Sequence, residues 1–118
     1  MQIARRFPGF AHLGAAPRYD GRDQPRLDAL AQACQVTGLP MVAVGDVLMH
    51  RAARRPLADV LTCLRLGITI DEIGSHRLPN SERRLKSGAE MARLFHRYPA
   101  ALRRTLDIAT RCSFSLDE

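Results

Sequence analysis

The feature of the sequence that most constrains its fold is the apolar run L-P-M-V-A-V-G, which lies between Pro40 and Gly45. A short run without polar alternation is typical of a strand that is buried on both faces of a parallel sheet. Parallel neighbours are joined by a crossover, which is usually a helix. A helix and a partner strand are therefore expected upstream of this run.

Both elements are predicted there. Residues Phe10 to Ala16 form a small, apolar run before the turn-rich P-R-Y-D-G-R-D, which indicates a buried strand ending in a loop. Asp23 can cap a helix that follows, and Gly38 supplies its left-handed stop. The apolar residues of this helix share one face: Leu27, Leu30, Ala31 and Cys34. The sequence therefore predicts an α/β fold built on a strand-helix-strand unit.

A second helix is predicted from about residue 56 to residue 66. Pro56 suits a first helical position, and Gly67 suits the end. The apolar residues between them repeat at helical spacing: Leu57, Val60, Leu61 and Leu64. Residues 68–86 are polar and irregular, so we expect a long connecting loop.

Two further helices are predicted after this loop. Ser87 and Glu90 form a capping box, which indicates a short helix to about Arg97. Pro99 then opens the last helix. One side of it is apolar: Leu102, Leu106, Ile108 and Ala109. The chain is therefore expected to end in a helical segment.

The basic balance of the chain favours polyanionic partners. Its 118 residues carry 18 basic and 12 acidic side chains, a net charge of +6, and every basic residue except Lys86 is an arginine. Arginine binds phosphate bidentately, but no Trp and only two Tyr are available to stack bases. We expect weak, non-specific, salt-sensitive DNA binding, with a solvent-facing role for most arginines as the alternative. The candidate contacts are Arg51, Arg54, Arg55, Arg83, Arg84 and Lys86.

The cysteines and the apolar runs indicate a reducing compartment. The three cysteines lie far apart without C-x-x-C spacing, so we expect small buried hydrophobes rather than a disulfide framework or a zinc knuckle. No run has the length of a membrane span, and the first residues lack the apolar core of a signal peptide. The predicted location is the cytoplasm, without a membrane partner. The cysteines are Cys34, Cys63 and Cys112.

Asp46 and His50 follow the second predicted strand, at the edge where α/β proteins bind ligands. Both residue types are ordinary ligands for zinc or manganese. Two ligands do not complete a site, because a zinc centre needs at least three protein ligands. From spacing alone, Asp46 is more readily explained as a loop residue or a helix-adjacent cap than as a ligand. His50, in a polar loop, is more readily explained as a solvated side chain.

The stretch G-D-V-L-M-H-R-A-A-R-R-P-L-A-D-V-L-T resembles a segment of the C-family, error-prone DNA polymerases of bacteria. In that family the segment usually reads G-D-V-H-M-H, and after a few residues R-R-P-L-Q-D-V-L-T. The resemblance continues through A-R-R-F-P-G upstream and through L-P-N-S-E-R-R-L-K, E-M-A-R-L-F and I-A-T-R-C-S-F-S-L-D-E downstream. It therefore covers nearly the whole chain.

This resemblance implies a fold and a place in a longer enzyme. Residues 1–55 would form the end of a polymerase and histidinol phosphatase (PHP) domain, a distorted α/β barrel. Residues 56–118 would form a helical junction towards the palm. The family's early His-rich strands would precede Met1, and the palm aspartates that bind magnesium would follow Glu118. The chain alone is therefore expected to be inactive and to need no cofactor.

The resemblance also implies a degraded metal site. In the family the Asp and the first His of G-D-V-H commonly bind zinc or manganese, and these positions are Asp46 and Leu48 here. Leucine cannot coordinate a metal, which leaves Asp46 and His50 as a weak residual pair. Where relatives often carry a Glu and a His upstream, this chain has Ala16, Pro17 and Arg18. We therefore expect no tightly bound metal.

Three interpretations of the function follow. The first is a piece of an error-prone DNA polymerase that acts in translesion synthesis and DNA repair, with a structural PHP portion and the rest of the polymerase or other replication proteins as partners. The second is a small, non-enzymatic, basic protein that binds nucleic acid or another protein. The third is a decayed open reading frame. Exposed sheet edges should leave the isolated chain marginal, aggregated or oligomeric.

Overall fold

A computed structural model describes residues 12–116 as a two-stranded sheet with four α-helices. Two short 3₁₀ turns, Ala52–Arg54 and Gly74–His76, interrupt the connections. In chain order the strands and α-helices are β1 (Leu13–Ala15), α1 (Asp23–Thr37), β2 (Met41–Ala43), α2 (Arg55–Leu66), α3 (Gly88–Leu94) and α4 (Pro99–Arg111).

The two strands pair in parallel, as the strand-helix-strand pattern predicted. Leu13 lies opposite Met41 and Ala15 lies opposite Ala43. All three residues of β2 are buried, which confirms the expectation of a strand covered on both faces. Part of the predicted first strand, Phe10 and Ala11, lies outside the described residues.

The helix α1 lies close to its predicted position, but its N-terminus differs. The residue that precedes the helix is Arg22, and Asp23 is already helical. The Asp23 carboxylate accepts hydrogen bonds from the backbone N–H groups of Arg18, at 2.7 Å, and Tyr19, at 2.8 Å. Asp23 therefore organises the preceding loop instead of capping the helix. Gly38 ends α1 in the left-handed conformation (φ 72°), as predicted.

One apolar core joins the sheet to α1, α3 and α4. Phe95, which is fully buried, lies at its centre after the end of α3. The helix α4 packs chiefly against β2 and adds Ala101 to the core. Because Met41 and Phe95 belong to the same core, residues on both sides of position 55 depend on one another. The domain boundary at residue 55 stays a prediction.

The helix α2 has the predicted length but presents its apolar side to solvent. Its inward face carries Asp59 and Cys63, which are 5% and 6% exposed. Helical spacing alone predicts an amphipathic helix and leaves open what covers its apolar side. Four side chains of that side are exposed: Leu57, Val60, Leu61 and Leu64.

Most of the features predicted for the two C-terminal helices are present in the structure. The Ser87 side chain accepts a hydrogen bond from the Glu90 backbone N–H at 3.2 Å. The helix α3 ends at Leu94, before the predicted end at Arg97, and Tyr98 is non-helical because a residue before proline avoids that conformation. The predicted apolar side of α4 is only partly inward, since Leu106 is largely exposed.

The described residues form a mixed, mostly helical α/β arrangement with two parallel strands and no closed barrel. A partial PHP barrel is therefore not confirmed. The radius of gyration is 16.9 Å, whereas a compact domain of about 100 residues has a radius near 13 Å. The arrangement is thus more open than an ordinary single domain.

The cysteines are free thiols in three different environments. Cys63 is buried and Cys34 is partly buried, in agreement with the sequence interpretation. Cys112 is exposed, so the prediction that it is a buried hydrophobe was wrong. Cys112 directly follows the last helix. In the described part of the chain, no helix has the length and apolar character needed to cross a membrane.

The central position of Phe95 leads to a stability prediction. We expect Phe95→Ala to lower the free energy of unfolding by about 3–5 kcal/mol, because it truncates a large, fully buried side chain of the core. The matched control Leu106→Ala should change it by about 0.5 kcal/mol or less, since Leu106 is exposed. Urea unfolding followed by circular dichroism measures both effects. Equal losses in the two variants would contradict this description of the core.

Candidate functional site at the carboxyl edge of the sheet

The parallel strands bring two loops to the same edge of the sheet. Residues 16–18 follow β1, and residues 44–46 follow β2, so both loops start from the carboxyl ends of paired strands. Asp46 has a positive φ of 46°. An aspartate tolerates this left-handed conformation better than most residues. The turn directs the chain away from the sheet at the residue predicted as a metal ligand.

The side chain of Asp46 is held by an arginine from the long loop. Arg83 Nη2 lies 2.6 Å from Asp46 Oδ1, and Arg83 Nε donates to the Asp46 backbone carbonyl at 2.9 Å. The guanidinium therefore binds the carboxylate and the main chain of one residue together. Such a fork fixes the orientation of its partner more tightly than a single contact does.

Backbone hydrogen bonds fasten the same two loops. The Arg83 carbonyl accepts from the N–H groups of Leu48, at 2.8 Å, and Met49, at 3.1 Å. Leu85 N–H donates to the Met49 carbonyl at 3.1 Å, and Met49 and Arg84 form an isolated parallel bridge. The loop predicted from residue 68 to residue 86 is therefore anchored at its C-terminal end.

Asp46 and His50 do not line the same cavity. Asp46 lies between a cavity of about 450 Å³ beside α1 and another of about 240 Å³ beside Arg83. His50 lines a different cavity, together with Leu48 and α2. Asp46, Leu48 and His50 are all exposed. The structure thus separates the two residues that the sequence suggested as a residual metal pair.

The donor set at this edge does not fit a metal ion. Among residues 12–116, no group of three His, Cys, Asp or Glu side chains lies close enough to hold one. The one predicted carboxylate ligand, Asp46, already forms an ion pair with the Arg83 guanidinium. We therefore derive no metal chemistry from this edge, and the absence of a bound metal stays a prediction.

Two of the basic residues proposed as phosphate contacts form ion pairs or hydrogen bonds with other residues of the chain. Arg84 forms a bidentate pair with Glu90, at 2.6 and 3.2 Å. The Lys86 side chain is 4% exposed, donates to the Glu82 carbonyl, and lies 5.0 Å from the centre of the Tyr19 ring. In this arrangement the Lys86 ammonium is not accessible to a phosphate backbone.

Arg55 is also engaged within the chain. Its guanidinium donates to the Leu78 carbonyl and lies 3.8 Å from Asp59, while Arg77 approaches the same carboxylate at 3.4 Å. Asp59 is buried and therefore needs these cations. The group connects α2 to the loop that follows it.

Arg51 and Arg54 differ from the other four candidates. Both are exposed, and neither forms an ion pair with any residue in the described range. They lie within four positions of each other just before α2. Their proposed role as DNA contacts stays a prediction, and they are the candidates whose guanidinium groups are accessible.

Sequence reasoning missed the cluster around Tyr19. Tyr19 has a positive φ of 57°, and its hydroxyl is buried without a hydrogen-bond partner among the described residues. Burial, followed by the nearby Glu82 carboxylate, raises the pKa of this hydroxyl. No local spacing predicts such a cluster, because Lys86 and Glu82 are more than 60 positions from Tyr19.

Comparisons with known proteins identify relatives of the whole chain, although no protein-family model matches it. The error-prone DNA polymerase of Ruegeria pomeroyi is 68% identical over 118 residues, which is 100% of this chain and 11% of the relative. The error-prone DNA polymerase of Mesorhizobium japonicum is 47% identical over 117 residues, which is 99% of this chain and 10% of the relative. Error-prone DNA polymerase 1 of Agrobacterium fabrum is 46% identical over 112 residues, 95% of this chain and 10% of the relative.

The chain is therefore homologous, over its whole length, to one segment of bacterial error-prone DNA polymerases. It spans about one tenth of the length of these curated relatives. The resemblance that the sequence motifs indicated is thereby confirmed.

The Arg84–Glu90 pair predicts a pH response. The hydrogen bond from Arg84 holds the pKa of Glu90 below its ordinary value. A carboxyl group with a lowered folded-state pKa contributes stability above its unfolded pKa of about 4.3, and this contribution is lost as the pH falls through the folded-state pKa. NMR titration should show the low pKa of Glu90, and Arg84→Ala should raise it towards the ordinary value. An unchanged Glu90 pKa in Arg84→Ala would contradict this pairing.

The geometry of Asp46 predicts the metal content. We expect elemental analysis of the chain, purified without chelator, to show substoichiometric zinc and manganese, because Arg83 occupies the Asp46 carboxylate. Neither Leu48→His nor Arg83→Ala is expected to raise the metal content, because Leu48 and His50 line a different cavity from Asp46. One or more tightly held ions per unmodified chain, lost on Asp46→Ala, would refute the prediction.

Proposed function

We propose that these 118 residues are a segment of an error-prone DNA polymerase, in the PHP portion and its helical junction towards the palm. The observation that carries the proposal is 68% identity over the whole chain to a polymerase of which the chain covers 11%. Nucleotidyl transfer, magnesium binding in the palm and synthesis across damaged templates would belong to the longer enzyme. The segment itself would act structurally, in a cytoplasmic protein that serves DNA repair and replication.

Two features of the structure support a structural role. The Arg83–Asp46 pair joins the loop after β2 to the loop before α3, and it engages the carboxylate that the resemblance implies as a former metal ligand. The core around Phe95 then joins the sheet to the C-terminal helices. Together these contacts would hold the end of the PHP portion and the junction in one arrangement.

The experiment that tests the proposal is a chimera. We expect the Ruegeria pomeroyi polymerase to keep primer-extension activity within about threefold when its homologous segment is replaced by these 118 residues. The same chimera with Phe95→Ala should lose activity, because the segment no longer packs. The activity of both chimeras is measured as primer extension on undamaged templates and on templates with an abasic site. A soluble, folded chimera without activity on either template would refute the proposal.

A small nucleic-acid-binding protein is the second candidate, which the exposed Arg51 and Arg54 favour. If the isolated chain binds DNA through them, Arg51→Ala with Arg54→Ala should make the salt dependence shallower. The slope of log K against log salt should fall by about 1.4 to 1.8, corresponding to two phosphate contacts. Arg84→Gln is the control and should leave the slope unchanged, because Arg84 is engaged by Glu90. Fluorescence anisotropy measures the slope, and a larger loss in the control would exclude this interface.

A further inference from the structure

The exposed side of α2 borders a groove that the proposed function does not explain. Two adjoining cavities, of about 360 and 390 Å³, lie between α2 and the segment that contains Leu48. Both are lined by Leu48, Ala58 and Leu61. Leu48 is 54% exposed and Leu61 is 56% exposed, so the floor of the groove is apolar surface that no described residue covers.

The rim of this groove is basic. Arg54 and His50 lie at one end, and Arg65 lies at the other. No aspartate or glutamate is among the residues that line either cavity. Asp59, the acidic residue of α2, is buried beside Arg55 and Arg77 and lines a separate cavity. Arg83 also lines one of the cavities, but it is paired with Asp46. Arg54 and Arg65 form no ion pair with a described residue, so the groove combines an aliphatic floor with two unpaired cations.

We propose that this groove binds an amphipathic helix with an apolar stripe and acidic flanks, supplied by the part of the polymerase outside these 118 residues. The origin of this helix rests on the proposed function. About nine tenths of the curated relatives' length lies outside the matched segment and could supply it. An apolar stripe would cover Leu48 and Leu61, and carboxylates beside it would reach Arg54 and Arg65. This is the helix-in-groove mode of recognition, with charge complementarity setting the orientation.

Two other occupants agree less well with the same features. A second copy of the chain would place Arg54 and Arg65 near identical cations, which is unfavourable in a closely packed interface. Single-stranded nucleic acid usually stacks its bases on aromatic side chains, whereas the floor of this groove is aliphatic. An acidic amphipathic helix would cover the aliphatic floor with its apolar stripe and pair with the basic rim through its carboxylates.

A peptide array tests the proposal with the 118-residue chain as probe. Overlapping peptides of about 20 residues, covering the Ruegeria pomeroyi polymerase outside the homologous segment, are long enough to form several helical turns. We expect the captured peptides to be amphipathic and acidic. Leu61→Glu should weaken their binding at least about tenfold, as should Arg54→Glu combined with Arg65→Glu.

Matched control variants distinguish binding in this groove from non-specific binding to the protein surface. Leu106→Glu changes a leucine on α4 that is at least as exposed as Leu61, and Arg103→Glu changes an exposed arginine on the same helix, so neither should alter capture. Equal losses in the controls would overturn the proposal. So would capture of no peptide, capture of basic peptides, displacement by a single-stranded oligonucleotide, or a discrete dimer that Leu61→Glu dissociates. The chimera experiment is independent, so an active chimera with no captured acidic peptide refutes the groove alone.

Discussion

The parallel pairing of β1 with β2 is the constraint on which the rest of the structure depends. It requires a crossover, which α1 provides, and it brings the loops after both strands to one edge. Both faces of β2 are buried, α4 packs against this strand, and Phe95, between α3 and α4, belongs to the same core. The Arg83–Asp46 fork then fastens the loop after β2 to the segment before α3.

The helix α2 contributes no residue to this core cluster. Its polar side, with Asp59, faces Arg55 and Arg77, while its leucines face solvent. Burying a leucine side chain contributes about 1.5–3 kcal/mol, so several exposed leucines on one helix represent considerable unused stabilisation. The proposed place of the chain in a longer polymerase would supply neighbours that cover these leucines.

Local signals in the sequence predicted much of the fold. Gly38 and Gly67 end helices in the left-handed conformation, and Ser87 begins one, because each acts on backbone groups a few residues away. The candidate site was less predictable. Asp46 meets Arg83 across 37 positions, and no spacing rule connects them. The direction in which α2 faces was also not predictable, since helical periodicity defines an apolar side without identifying its neighbour.

Hydrogen exchange of the α2 backbone amides, compared between the isolated chain and the polymerase chimera, tests the central claim most directly. The account predicts fast exchange of α2 in the isolated chain, slow exchange of β2 and α4, and strong protection of α2 once the rest of the polymerase is present. Equal, strong protection of α2 in both proteins would show that the 118 residues already complete their own packing, and it would contradict the account.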